Sequence, residues 1–486
     1  MKQPENLQTL QSSNPGSVPL CVDLDGTLIK TDILIESLFA LLKRGIFFAL
    51  LIPFWLLRGK AYLKEQIAAR VELDVDLLPY NERFLGYLRE QHGAGRPLVL
   101  ATASHAKFAH KIAEHLGLFT HVLGSDDQNN LSGSRKLEQL RDKFGEQGFD
   151  YAGNSRTDLK IWPHARQAIL VNPAPGVRSA AERVASVGDV FDEGREGVRG
   201  YLRAIRIHQW LKNFLVFVPL VADHQVDNPQ LVLQALLGFV AFCLCASSVY
   251  LLNDMLDLPA DRQHPRKRRR PFAAGTVSIK HGALLIPVLL FAALGITPLL
   301  PVEFVAVLAT YYVSTLAYSM WLKGKVVVDV LVLAGLYTLR VIAGAAATSI
   351  PLSFWLLAFA MFIFLSLSMV KRYSELLGLQ NSEKKSIIGR GYEMIDLPTL
   401  ISLGAASGYT AVLVLALYIN SEEVREQYTR PEAIWLICPL LLYWVSLVWV
   451  TAGRGKMHDD PVVFAIKHRG SQCIGLLVIL ILLLAS

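Results

Sequence analysis

From about Ile205 to its last residue the chain is a succession of apolar runs of membrane-spanning length, and no other feature restricts its fold as much. The runs fall near 210–223, 230–252, 281–298, 302–321, 326–347, 352–370, 398–420, 431–451 and 470–485, which predicts nine spans. A helix rises about 1.5 Å per residue, so roughly 20 apolar residues cross the hydrocarbon core. Lipid offers no partner to a backbone N–H or C=O, so such spans must be helices packed as a bundle. Residues up to about 200 have ordinary soluble composition. The averages over all 486 residues, 52% hydrophobic and 18% charged, therefore conceal two unlike halves.

In a chain of this kind the net charge of +7 is a topology signal rather than a sign of nucleic-acid binding. Alternate loops hold Arg262, Arg266–Arg270 and Lys280; Lys323 and Lys325; Lys371, Arg372, Lys384, Lys385 and Arg390; and Arg454, Lys456, Lys467 and Arg469. The opposite loops hold Arg425 and Arg430. The bias predicts an N-terminus inside and a C-terminus outside. Residues 1–18 are polar, lack the apolar core of a signal peptide and are expected to be disordered. The expected location is a bacterial inner membrane with the N-terminal domain in the cytoplasm. The five cysteines, Cys21, Cys243, Cys245, Cys438 and Cys473, have neither metal spacing nor a disulfide framework.

Between two of the runs, Asn253 to Gly275 sets three carboxylates, Asp254, Asp257 and Asp261, just before five consecutive cations, Arg266 to Arg270. On a helix at about 100° per residue, Asn253, Asp254, Asp257 and Asp261 share an arc of roughly 100°. Packed carboxylates repel unless a hard cation bridges them. Mg²⁺ takes oxygen ligands and shares them with substrate phosphates. The face therefore reads as an Mg²⁺–diphosphate anchor, with the cations after it suited to further phosphate oxygens. The alternative is a solvated acidic turn followed by a basic loop that sets topology. Pro259 is expected to kink or end the helix near Leu258.

In the N-terminal half, a short apolar strand, Pro19–Val22, runs into Asp23-Leu24-Asp25-Gly26-Thr27. This resembles the haloacid dehalogenase superfamily of phosphatases, which implies an α/β Rossmann-like domain with a helical cap. By that resemblance Asp23 is the nucleophile that forms an aspartyl-phosphate, and Asp25 gives and takes the proton. Thr102, after the strand Pro97–Ala101, matches the hydroxyl that holds the phosphoryl group. Lys136 matches the neutralising cation. Gly153-Asn154-x-x-x-Asp158 matches the last motif, with Asn154 where the family usually has Asp. The resemblance implies Mg²⁺ held by Asp23, Asp25 and Asp158, and an active phosphatase or a degenerate, regulatory or structural domain. The domain is expected over 19–185, with a cap at about 33–90, Ile169–Val171 as last strand and a linker at 186–204. Within the cap, Gly45–Leu57 is apolar but too short to span. It is either cap core or a helix lying on the membrane surface.

Within the membrane half, 205–486, polar residues gather at one set of span ends, where they mark function by default. His208, Trp210 and Lys212 open the first span; Tyr318 and Lys323 end the fourth; Asp329 and Arg340 lie in the fifth; Lys371 and Arg372 end the sixth. Trp210 and Trp321 also fit an interfacial aromatic belt. Asp329 and Arg340 also fit structural glue, paired to each other or to backbone.

With Asn253-Asp-x-x-Asp-x-x-x-Asp261 and nine spans, this half resembles the UbiA superfamily of intramembrane prenyltransferases. Most of those enzymes carry a second aspartate-rich motif after the sixth span; here Lys371-Arg372-x-x-Glu375 stands there. With Asp459-Asp460-Pro461 and Gln209-Trp-x-Lys-Asn213, this resembles the branch of decaprenyl-phosphate phosphoribosyltransferases, which move 5-phosphoribose from phosphoribosyl diphosphate to a polyprenyl phosphate. The resemblance implies that Asn253, Asp254, Asp257 and Asp261 hold Mg²⁺ on the diphosphate. It implies that Lys212, Lys267, Arg268, Arg270, Tyr318, Lys323, Arg340, Lys371 and Arg372 bind substrate. The implied partners are a polyprenyl lipid and a diphosphate substrate. Two alternatives stand beside it: a prenyltransferase that moves a polyprenyl group from its diphosphate to an aromatic acceptor, and a transporter or membrane scaffold.

Overall fold

The structure is a computed structural model and describes residues 18–126, 129–194, 196–379, 390–421, 424, 428–457 and 461–485. Lys384, Lys385, Arg425, His458, Asp459, Asp460 and the N-terminal stretch before residue 18 lie outside the described residues. The chain divides into two compact units that do not follow its order. One holds Met1–Ile205 and Leu251–Leu285, the other Arg206–Tyr250 and Ile286–Ser486.

The first unit is built on a six-stranded sheet. Its strands are β1 Leu20–Val22, β2 Leu98–His105, β3 His121–Ser125, β4 Asp150–Gly153, β5 Ala168–Val171 and β6 Val187–Phe191. They lie in the order β3-β2-β1-β4-β5-β6, and every pair is parallel. Parallel strands need crossovers that cover both faces, which is why β1 and β5 are apolar and buried throughout and why the one charge of the buried β4, Asp150, is paired with Arg96 and Arg166. One core, with Leu20, Leu98 and Leu100, lies on one face; another, with Val99, Tyr151 and Trp162, lies on the other. The sheet runs one strand beyond the expected last strand, Ile169–Val171. Residues 186–204, read as linker, hold β6, whose Val187, Val190 and Phe191 pack against the two cores, and the whole helix Val198–Ala204.

The cap between β1 and β2 consists of α1 Ile33–Arg44, α2 Phe48–Leu57, α3 Lys60–Ala68 and α4 Glu82–Gly93. Asp32 caps α1 through its side chain, which accepts the Ile35 N–H at 3.0 Å. The remaining helices before the membrane half are α5 Ala106–Leu116, α6 Ser134–Phe144, α7 Val177–Val184 and α8 Val198–Ala204. The apolar segment Ile207–Ala222 follows, 3₁₀ in form to Phe217 and ending in α9 Val218–Ala222. The long α10 Pro229–Leu256, α11 Leu258–Gln263 and α12 Ile279–Ile296 come next. The end of α10, α11 and the start of α12 belong to the first unit.

Among the described residues seven helices are long and apolar enough to cross a membrane: Pro229–Leu256, Ile279–Leu299, Val302–Leu322, Val328–Thr348, Phe354–Leu377, Met394–Ile419 and Pro431–Gly453. They match seven of the nine expected spans. The expected first and last, 210–223 and 470–485, are the shorter apolar helices Ile207–Ala222 and Arg469–Ala485. The count of nine is therefore not confirmed. Loss of i→i+4 bonding over Ile207–Phe217 and a length of 17 residues are what set these two apart.

The second unit is a helical bundle with close backbone approaches at small residues, as expected where lipid cannot drive helices together. A Cβ at Gly344 would strike the carbonyl of Val216, and one at Gly404 the ring of Trp449. Its α13 Val302–Ala317 ends in a π-helical turn, Tyr318–Leu322, and α14 Val328–Thr348 and α15 Phe354–Leu377 follow. Asp329, in the first turn of α14, is completely buried. It accepts Arg372 Nε at 2.5 Å and Nη2 at 3.1 Å from α15. Arg390 Nη1 reaches the same carboxylate at 3.2 Å, and Arg372 also pairs with Glu375. A two-pronged guanidinium is the one side chain that can hold both oxygens of a buried carboxylate.

Removing one partner of a buried pair leaves an uncompensated charge, at a cost of about 3–5 kcal/mol. Arg372→Met should therefore melt well below the parent protein in detergent, read by thermal unfolding of the full chain. Arg372→Lys should fall between the two, because it keeps the charge and loses the fork. A Met variant that melts with the parent would show that the pair does not hold these helices.

Candidate functional site

Two groups of chemically active side chains lie in the first unit. The first is at the carboxyl end of β1, where the strand order reverses, the usual ligand crevice of a doubly wound sheet. Asp23 follows β1 directly. Its Oδ1 accepts Lys136 Nζ at 2.8 Å, and Lys136, nearly buried, also donates to the Tyr151 hydroxyl at 3.0 Å. Asp25 accepts the Ile33 N–H at 2.8 Å and the Ser104 hydroxyl at 2.6 Å. Gly26, at φ 79°, takes the left-handed turn that carries the chain onward from Asp25, and a Cβ there would strike the Asn154 amide. Burial raises Asp23 above its ordinary carboxylate range against the pull of Lys136. Burial, with the Asp32 charge adding to it, pushes Asp25 up to about 7, where a carboxyl can both donate and accept a proton near neutrality.

The other expected members of this group take more structural places. Thr102 is fully buried and accepts the Ser104 N–H at 3.0 Å, and the Ser104 hydroxyl donates to Asp25. Asp158 Oδ2 accepts the N–H groups of Asn154 and Ser155 and the Ser155 hydroxyl, at 2.8–3.0 Å; Oδ1 accepts Tyr151 at 3.2 Å. It holds the loop that presents Asn154. Lys64 of α3 enters the cleft from the cap and donates to Ala103 O at 2.5 Å and Asn130 Oδ1 at 2.6 Å. Sequence gave no sign of Lys64. Ser104 stands two residues after Thr102, and the local sequence does not distinguish the two hydroxyls.

The second group is the aspartate stretch. α10 ends at Leu256, Asp257 caps α11, and Pro259 stands in its first turn. The four oxygen-bearing residues thus do not share one helix face; the proline breaks the helix, as its missing N–H requires. The break nonetheless brings Asp254 and Asp261 to one cation. Arg270 Nη1 bonds Asp254 Oδ1 at 3.0 Å and Asp261 Oδ2 at 2.6 Å. Asp257 instead meets Lys43 of α1 at 2.9 Å. Burial raises Asp261, and Arg270 offsets part of the rise. Asn253 Oδ1 is buried and has no hydrogen-bond partner. Lys267 and Arg268 are exposed on the turn beyond. A cavity of about 170 Å³ between the cap and this stretch is lined by Glu36, Ala40, Lys43, Leu73, Met255 and Pro259 among others, and Asp257 is not one of its lining residues.

Among the described residues no three His, Cys, Asp or Glu side chains converge as a complete metal cage. Mg²⁺ seldom has one; it keeps waters and substrate oxygens beside one or two carboxylates. Asp254 and Asp261 brought to one cation, with the orphaned Asn253 oxygen close by in sequence, form a hard donor set that fits such an ion.

In the second unit, Tyr318 donates to Asp329 Oδ1 at 3.0 Å and receives Arg372 Nη2 at 3.1 Å and Arg390 Nη1 at 2.5 Å. Arg372 is thus committed to carboxylates and a phenol. Lys371 and Lys323 are half-buried. Asp329 and Arg340 do not pair with each other, because Asp329 is taken by Arg372 and Arg390; Arg340 Nη1 instead donates to the Leu336 backbone carbonyl. Arg340 bonds Asn213 Oδ1 at 2.9 Å and Tyr311 at 3.3 Å, within about 5.2–5.4 Å of the rings of Phe242, Tyr311 and Tyr337. Lys212 Nζ lies 5.7 Å from the same Tyr337 ring, and Trp210 donates to Ser247 at 3.0 Å. Arg390 was missed as a member of this group; its sequence neighbourhood carries no motif.

Residues 214–454 match the UbiA prenyltransferase family, and residues 20–161 match the haloacid dehalogenase-like hydrolases. An uncharacterized protein of Sinorhizobium fredii, y4nM, is 38% identical over 466 residues, which cover 95% of this chain and 90% of its own. The nodulation protein NoeC of Azorhizobium caulinodans is 36% identical over 277 residues, 56% of this chain and 88% of its own. Decaprenyl-phosphate phosphoribosyltransferase of Mycolicibacterium smegmatis is 40% identical over 283 residues, 57% of this chain and 88% of its own. The chain belongs to the UbiA prenyltransferase family and carries a haloacid dehalogenase-like domain at its N-terminal end.

Proposed function

We propose that the membrane half transfers 5-phosphoribose from phosphoribosyl diphosphate to a polyprenyl phosphate. The observation that carries this reading is the cationic set around α15. Where most family members have a second aspartate motif, this chain has Lys371 and Arg372, and the carboxylates there, Asp329 and Glu375, are matched by Arg372 and Arg390. A donor with an extra 5-phosphate calls for fewer acids and more cations than a prenyl diphosphate does. The likeness to a decaprenyl-phosphate phosphoribosyltransferase over 57% of this chain supports the same reading.

Asp254, Asp257 and Asp261, with Asn253, would hold Mg²⁺ on the donor diphosphate. Bound there, Mg²⁺ would supply neutralisation of the leaving group. Arg270, Lys267 and Arg268 follow the acids and suit phosphate oxygens; Lys323 and Lys371 are assigned the same role. Arg372 enters as a positioning residue, since its guanidinium is already engaged. Lys212, Tyr318 and Arg340 remain in the reading as residues that shape the substrate site. The bond from the anomeric carbon to the diphosphate breaks as the lipid phosphate oxygen attacks from the opposite face. The acceptor is already anionic, so no strong general base is needed; positioning and electrostatics carry the rate. We place the N-terminal domain and this chemistry on the cytoplasmic side of a bacterial inner membrane, following the loop charges.

Membranes containing the protein should incorporate label from phosphoribosyl diphosphate into extractable lipid, with Mg²⁺ required. Asp257→Asn should lower incorporation at least about a hundredfold with protein level unchanged. Incorporation from labelled prenyl diphosphate into an aromatic acceptor instead, or full activity in Asp257→Asn, would overturn the reading.

The N-terminal domain is proposed to remove the 5-phosphate that transfer leaves on the lipid-linked ribose. Asp23 Oδ attacks phosphorus, and the ribose oxygen leaves with the proton held by Asp25. Water, losing its proton to Asp25, then hydrolyses the aspartyl-phosphate and releases inorganic phosphate. Phosphate release from the labelled lipid product should disappear in Asp23→Asn while ribosyl transfer persists. Release at the parent rate in that variant would exclude the phosphatase role.

A further inference from the structure

The cap carries an apolar helix that its own domain covers on one side only. α2 reads Phe-Ala-Leu-Leu-Ile-Pro-Phe-Trp-Leu-Leu, without a polar side chain. Phe48, Ile52 and Trp55, spaced as one helical seam, pack on the cap core. The other side is bare: Leu50 is 73% exposed, Phe54 67% and Leu57 85%, with Phe47 at 58% just before them. Large apolar side chains contiguous on a surface mark a docking site.

Three ion pairs fix what lies next to this face. Asp32, the cap of α1, meets Lys280 at 2.7 Å, at the start of the candidate span Ile279–Leu299. Glu36 meets Arg262 at 2.5 Å. Lys43, in the last turn of α1, meets Asp257, the residue directly after the candidate span Pro229–Leu256. Both ends of α1 are therefore tied to points where the chain enters or leaves lipid, and α2 begins four residues after α1 ends. Charge agrees: between Glu36 and Glu65 the sequence has five cations, Lys43, Arg44, Arg58, Lys60 and Lys64, and no acid. Basic residues beside an apolar helix favour an anionic lipid surface. Ten residues reach only about 15 Å, too short to cross the hydrocarbon core.

We propose that α2 is an interfacial membrane anchor whose outer face, Leu50, Phe54 and Leu57, lies among acyl chains at an anionic bilayer surface and holds the cap there. The anchor stands whether or not the proposed ribosyl transfer does. The test uses the full chain with Cys473→Ser, in nanodiscs of phosphatidylglycerol and phosphatidylcholine, with bimane attached at Leu57→Cys. Brominated acyl chains should quench this probe at least about twofold, while a probe at Glu182→Cys on α7 stays unaffected. Quenching at Leu57→Cys no greater than at Glu182→Cys would overturn the proposal. So would a blue-shifted, unquenched probe in particles that hold two chains, which would assign the face to a second copy.

Discussion

A carboxylate kept from water needs a cation beside it, and this requirement shapes the aspartates of both units. Asp329 is completely buried and is held by two guanidinium groups and a phenol. Asp254 and Asp261 share Arg270, Asp257 has Lys43, and Asp23 has Lys136. These partners differ in kind. Arg372 is locked by fork geometry at completely buried atoms, which suits support. Arg270 and Lys43 are partly open to solvent, and each meets its carboxylates through one nitrogen rather than a fork.

The same pairing explains why the compact units cut across the chain order. Residues 251–285 belong by sequence to the membrane half, yet Asp257, Arg262 and Lys280 are each paired with α1 of the cap. α1 also supplies the Ile33 N–H that positions Asp25. One twelve-residue helix therefore touches both Asp25 and the aspartate stretch. A fusion of two independently tethered domains would not need this.

The parts legible in sequence were those set by local pattern. The strand–Asp-x-Asp-Gly turn, the cap between the first two strands, the proline break at Pro259 and seven long apolar helices all follow from neighbours a few residues apart. The parts that were not legible are long-range pairings. Nothing near Asp257 names Lys43, 214 residues away, and nothing near Asp329 chooses Arg372 and Arg390 over Arg340. β6 was hidden because Val187–Phe191 is half exposed at a sheet edge, and an edge strand lacks the continuous apolar run of β1 or β5. The first expected span is not confirmed for a different reason: its opening, Ile207 to Phe217, bonds as a 3₁₀ segment, which an apolar run does not distinguish from an α-helix.

The most direct test is the binding of phosphoribosyl diphosphate to the full chain in nanodiscs, titrated calorimetrically with and without Mg²⁺. Binding should require Mg²⁺ and should weaken at least about tenfold when Asp254 and Asp261 are both replaced by Asn, a loss of about 1.4 kcal/mol or more. Equal affinity without the metal, or undiminished affinity in the double variant, would contradict the claim that these acids hold a metal-bound diphosphate.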